Sequence, residues 1–204
     1  MNHIVVLGGS FDPVHSGHIA MADAARLAFP DGVIYWVPAG HAPHKLDQTP
    51  ASASDRVCWL QLVLHNRDHE QLCQLEVNRP GPSFMVDTLL ALKKDHPAAR
   101  LTLLLGADSL EHLLSWSRLD QLFSLADFLF VPRPGFGATT LSRFRKGLDS
   151  ATKHSFQANM LDMPEVDVSS TLIRERLANG QSIDGYLPVT VAKAIKSARA
   201  YTKP

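Results

Sequence analysis

Two histidines three residues apart, His15 and His18, lie in the stretch GGSFDPVHSGH, between the apolar run HIVVL and the helix-like IAMADAARLAF. Imidazoles at that spacing near a helix start can donate hydrogen bonds to one anionic group, because the first-turn amides and the dipole already favour negative charge there. A phosphate held by the pair stabilises the imidazolium, so both rings should become more basic when ligand is bound. Gly8 and Gly9 let a ligand approach the backbone, and Ser10 adds a hydroxyl. The stretch is neither GxGxxG nor a Walker-type GxxxxGK, and no lysine stands ready for a β- or γ-phosphate. Metal ligation or plain surface exposure is the alternative for an HxxH pair, and a second pair, His41 and His44, keeps it open. Asp12 before Pro13 suits a turn, with metal binding as its alternative.

A second polar cluster, DVSSTLIRERL, lies near the other end. Ser169 is placed to cap a helix in which Ile173 and Leu177 recur four residues apart. Helical side chains lean toward the N-terminus, so Arg174, one turn in, can reach an anion near Ser170, whereas Arg176 points elsewhere. A capped helix with solvated arginines is the plain alternative.

These residues need a scaffold. Short apolar runs alternate with amphipathic ones, the pattern of parallel strands joined by crossover helices. Strands are predicted over Ile4 to Leu7, Val33 to Val37, Leu72 to Leu75, Leu101 to Leu105 and Phe128 to Val131. Helices are predicted over His18 to Phe29, Ser54 to His65, Phe84 to Lys94, Asp108 to Ala126 with a break near Trp116, and Pro188 to Ala200. Pro132 to Ser155, rich in Gly, Ser, Thr and basic residues, reads as a long excursion. Strands this continuously apolar suit a sheet covered on both faces, hence a doubly wound α/β fold. Ligands in such sheets sit beyond the carboxyl ends of the strands, where GGSFDPVHSGH leaves the first one.

The 204 residues suit one domain, 1–204, with a helical part from about 169 to 204 packed on it. Apolar residues at 45% and charged residues at 20% are ordinary for a globular chain. Twenty basic residues balance twenty acidic ones, so no global field draws the chain to nucleic acid or a membrane, and any polyanion must be held by a local site. Cys58 and Cys73 form no CxxC, and neither a secretory signal nor a spanning apolar segment is apparent, so a cytoplasmic address is expected. A homo-oligomer is left open.

GGSFDPVHSGH resembles the GGxFDPxHxGH signature of the HxGH nucleotidyltransferases, and VSSTLIR resembles their second signature, in the expected order. HAPHK, PSFMVDTL, GADSL followed by Trp116, and RPG are similar to successive blocks of the bacterial nicotinate-nucleotide adenylyltransferases, so the resemblance spans nearly the whole chain. It implies a Rossmann-like HxGH nucleotidyltransferase fold and transfer of AMP from ATP to nicotinate mononucleotide, giving deamido-NAD and pyrophosphate. Mg²⁺ is implied as the ion that travels with ATP, carried mainly by the triphosphate, with no dedicated protein metal site.

The resemblance also implies roles. His15 and His18 contact the ATP phosphates, His18 foremost in the transition state, with Arg174 as the third catalytic group. Gly8, Gly9, Ser10 and Phe11 shape the nucleotide cradle, Gly106 and Asp108 contribute a nucleotide-contacting loop, and Ser170, Thr171 and Arg174 form the opposite wall. On the acceptor side, His44 and Lys45 meet the mononucleotide phosphate and Trp116 stacks on the pyridine ring. Ser83, Met85, Thr88, Arg79 and Arg133 are further acceptor candidates. Phe84 and Met85 stand where the family has Tyr and Thr, which leaves acid against amide preference open. Phosphopantetheine adenylyltransferase, usually with TxGH at the first motif, is the sister reading. A metallohydrolase using both HxxH pairs and a non-catalytic nucleotide-binding module are the others.

Overall fold

The computed structural model describes residues 2–41 and 51–202. Six strands, β1 (His3–Gly9), β2 (Val33–Pro38), β3 (Glu70–Leu72), β4 (Arg100–Gly106), β5 (Asp127–Val131) and β6 (Ala158–Met160), make one parallel sheet in the order β3-β2-β1-β4-β5-β6. The helices are α1 (Ser16–Ala28), α2 (Ala53–Leu64), α3 (Met85–Asp95), α4 (Leu119–Leu125), α5 (Ala138–Gly147), α6 (Ser150–Ser155), α7 (Ser170–Ala178) and α8 (Val189–Ser197). The fold is the expected doubly wound, Rossmann-like α/β arrangement, and its strand order reverses between β1 and β4.

Side chains alternate across each strand, so the central strands β1, β2, β4 and β5 each feed two cores. Ile4, Val6, Val37, Leu103, Leu105 and Phe130 face one side, where Val86, Leu89 and Leu92 of α3 cover them. Val5, Leu7, Trp36, Leu104 and Val131 face the other, under Met21 of α1, Trp59 and Leu60 of α2, Ile173 of α7 and Val191 and Ile195 of α8. The C-terminal helices thus complete the second core.

Three expectations need correction. The third strand lies at Glu70–Leu72, earlier than Leu72 to Leu75, because a buried acid opens it: the Glu70 carboxylate accepts from Trp36 Nε1 at 2.8 Å and from Arg67 Nε at 2.9 Å. With those donors, Glu70 can pack where only apolar residues seemed suitable. The excursion from Pro132 to Ser155 holds α5, from which Leu141 and Phe144, with Leu148 just past its end, reach the core, and α6, whose N-cap Asp149 accepts from the amides of Ala151 and Thr152. The edge strand β6 follows it; three residues are too few to show a period. The stretch from Asp108 to Ala126 is broken near Trp116 as expected, but its first half is two 3-10 turns, Ala107–Glu111 and Leu113–Ser115, and only α4 is an α-helix.

Candidate active site

Among the described residues, two cavities open at the carboxyl ends of the strands, and both are lined by Gly9 and Ser10 at the end of β1. The larger, about 500 Å³, is lined by His15, His18, Asp108, Arg133, Ser170 and Arg174 among others. The smaller, about 240 Å³, is walled by Ala39, Glu76, Ser83, Phe84, Met85 and Trp116 and is largely apolar. The two segments expected to grip one polyanion therefore face a common space, although 156 positions separate His18 from Arg174.

His15 is the N-cap of α1, and its main-chain N–H donates to Nδ1 of His18 at 3.2 Å. That bond fixes the neutral His18 ring with its proton on Nε2. The two rings stack with centroids 3.7 Å apart, and the small residue between them in HSGH matters: a Cβ on Gly17 would stand 3.1 Å from the His15 ring and 3.1 Å from Val168. His15 is buried, and its Nδ1 has no hydrogen-bond partner among the described residues. Burial, with help from the Arg133 charge, lowers its pKa to about 3, so without ligand the ring is neutral.

Phe11 shapes the cradle from beneath. Its ring is fully buried, meets His18 edge-on at 4.9 Å between centroids, and is held at a backbone φ of +48°. A bulky residue pays conformational strain at such a φ, here repaid by packing on Trp36. The Ser10 carbonyl accepts from Nη1 of Arg56 at 2.7 Å.

The opposite wall is α7. The Ser169 hydroxyl caps it by accepting from the Leu172 amide at 3.1 Å, and the Ser170 hydroxyl donates to the Pro13 carbonyl at 3.0 Å, joining the two motifs directly. Arg174 donates from Nη1 to the Asp12 carbonyl at 2.8 Å and from Nη2 to the Thr171 hydroxyl at 3.2 Å. Arg176 turns away to the Ser182 carbonyl and the Tyr186 ring. Gly106 ends β4 beneath Asp108 and Arg133, and a Cβ there would strike both side chains.

Two acceptor candidates sit elsewhere than expected. Arg133 lines the larger cavity, where Nη2 lies 3.4 Å from Met21 Sδ, because the turn after β5 aims it toward α1. Thr88 is buried behind the smaller cavity and donates to Glu76 Oε1 at 2.7 Å, so Glu76 presents the polar edge. Burial raises the Glu76 pKa, opposed by the Thr88 hydroxyl and the Arg79 charge. The Ser83 hydroxyl accepts from the amides of Gly40 and His41 at 3.1 and 3.2 Å, tying the loop after β2 to the start of α3. His44 and Lys45 lie outside the described residues.

Sequence reasoning missed Arg56, Glu76 and Tyr201. A basic residue at helical spacing with buried Trp59 and Leu60 was a usable signal for Arg56, and an acid between Leu75 and Val77 for Glu76. Tyr201 follows the last helix and carries no such signal. Asp12 is held by protein donors, and among the described residues no group of three or more His, Cys, Asp or Glu is arranged to hold a metal ion. No helix among them is long and apolar enough to cross a membrane.

The cytidylyltransferase-like family model matches residues 6–176. A Bacillus pumilus protein named probable nicotinate-nucleotide adenylyltransferase is 36% identical over 98% of this chain and 99% of its own. A Gloeobacter violaceus protein of the same name is 37% identical over 98% and 96%. Among solved structures, the Plasmodium falciparum nicotinic acid mononucleotide adenylyltransferase complexed with NaAD superposes with a TM-score of 0.76 at 19% identity, covering 98% of both chains.

Proposed function

The chain belongs to the cytidylyltransferase-like family and, within it, to the nicotinate-nucleotide adenylyltransferases, and from that premise we propose that it moves AMP from ATP to nicotinate mononucleotide, releasing pyrophosphate and forming deamido-NAD for NAD biosynthesis. One observation carries the reading at the level of this chain: a polar cavity with two histidines and two arginines meets, at Gly9 and Ser10, an apolar cavity with a tryptophan in its wall. The first suits a triphosphate and the second an aromatic base, and their shared edge is where the two reactants would touch.

A phosphate oxygen of the mononucleotide attacks the α-phosphorus of ATP; that P–O bond forms as the bond to the bridging oxygen of the β-phosphate breaks, and the electron pair leaves with pyrophosphate. The attacking phosphate is already anionic, so no general base is needed. Catalysis then rests on alignment and on charge stabilisation. In this reading His18 offers Nε2–H to the reacting phosphates, and Arg174, steadied by the Asp12 carbonyl and Thr171, faces them from the other wall. Arg133 adds charge beside His15. An arriving polyanion opposes the burial that keeps His15 neutral, so binding should draw protons onto the site.

The activity calls for a divalent ion with the nucleotide, and we propose Mg²⁺. Carried by the triphosphate, it would supply neutralisation of the phosphate charge. The residues fit an ion carried by the nucleotide: the cavity offers imidazoles, guanidinium groups and hydroxyls, with Asp108 and Asp167 as its carboxylates. Trp116 would supply the flat face for the pyridine ring and the loop containing His44 and Lys45 the contacts to its phosphate.

The test is pyrophosphate release with ATP and, in turn, nicotinate mononucleotide, nicotinamide mononucleotide and phosphopantetheine. Turnover with the first is expected; turnover with phosphopantetheine alone would replace the reading with the sister activity.

A further inference from the structure

Asp12 lines neither cavity, yet three distant segments end on it. Its Oδ1 accepts from the main-chain N–H of Ala51 at 2.9 Å and from the Tyr201 hydroxyl at 2.6 Å, while its Oδ2 stands 3.6 Å from Nη1 of Arg174. The Asp12 side chain is only 6% exposed. Tyr201 lies beyond α8 and packs on Trp59 with ring centroids 5.9 Å apart. Burial first, and the hydrogen bond to Asp12 second, push its phenol pKa up, so the hydroxyl remains a donor at any working pH.

A buried carboxylate beside an arginine tends to close into a short charge-assisted pair, and a guanidinium engaged in this way has less charge to offer a ligand. Here the two donors on Oδ1 hold the carboxylate in place. Its other oxygen remains at 3.6 Å, longer than such a pair, while the guanidinium is aligned by the Asp12 carbonyl. We infer that Tyr201 is a positioning residue of the nucleotide site: its hydroxyl anchors Asp12, the anchor limits the hold of Asp12 on Arg174, and Arg174 is thereby presented to the triphosphate. The C-terminal segment after α8 thus acts on the polar cavity without lining it. This rests on the reading of that cavity as the ATP site, not on the identity of the acceptor.

Tyr201→Phe removes the hydroxyl and keeps the ring on Trp59. Affinity for a non-hydrolysable ATP analogue, measured by calorimetry, should fall about 10-fold, the size of one charge-assisted hydrogen bond. Affinity for nicotinate mononucleotide should stay close to wild type, while the melting temperature falls by the few degrees that one lost buried hydrogen bond accounts for. In an Arg174→Lys background the same substitution should cost little more, since the pathway runs through the guanidinium. Unchanged analogue affinity, equal losses for both ligands, or full additivity with Arg174→Lys would each overturn the inference. A wild-type protein that binds the analogue but releases no pyrophosphate would instead count against the proposed reaction, and the Tyr201 comparison would still be decided by the analogue.

Discussion

With Nδ1 accepting from the His15 N–H, the proton of the neutral His18 ring lies on Nε2, the donor the proposed reaction assigns to the phosphates. His18→Ala is therefore expected to lower kcat about 100-fold or more, the usual scale for a donor aimed at developing charge, with a melting temperature close to wild type because the side chain is only half-buried. Steady-state kinetics and a thermal melt on one preparation check both halves; an unaltered kcat would remove His18 from the chemistry. Met85 opens α3 in the wall of the apolar cavity, where the family resemblance places a threonine. Met85→Thr should shift the ratio of kcat/KM for acid and amide mononucleotides while leaving the KM for ATP unchanged, as competition between the two acceptors will show. A change in ATP kinetics alone would detach Met85 from the pyridine.

At the scale of elements, β3 depends on one acid. Glu70→Ala would leave the Trp36 indole N–H and part of the Arg67 guanidinium without their acceptor inside the sheet edge, a loss of about 3 kcal/mol in chemical denaturation, with Glu70→Gln losing less. The same residue shows where the sequence stops being readable. β1, β2, β4 and β5 were legible because both faces of a central parallel strand are apolar; β3 was misplaced because the partners that make Glu70 tolerable lie at Trp36 and Arg67, and Trp36 belongs to another strand. α5 was overlooked since Leu141, Phe144 and Leu148 are few among polar neighbours. The first motif and the second were both visible, and so was the capping of α7 by Ser169. What no linear pattern displays is support from afar, such as Tyr201 on Asp12.

For the molecule as a whole, His15 links the polar cavity to acid stability. Its folded pKa, about 3, lies below the ordinary value of 6.5, so between them the unfolded chain takes up a proton that the folded protein refuses. The resulting stability is full above the ordinary value and is lost as pH falls toward the folded one. Melting temperatures of the ligand-free protein should drop between about pH 7 and about pH 5, and His15→Asn should flatten that decline; parallel curves for the two proteins would refute the link. The common edge at Gly9 and Ser10 has a different consequence, for inhibition. A compound carrying a flat ring in the compartment of Trp116 and a short anionic arm reaching past Ser10 toward Arg174 would unite two weak fragments in one ligand. The second fragment would then bind at the high local concentration set by its tether, so such a linked compound should outperform either half by far more than their contacts alone predict.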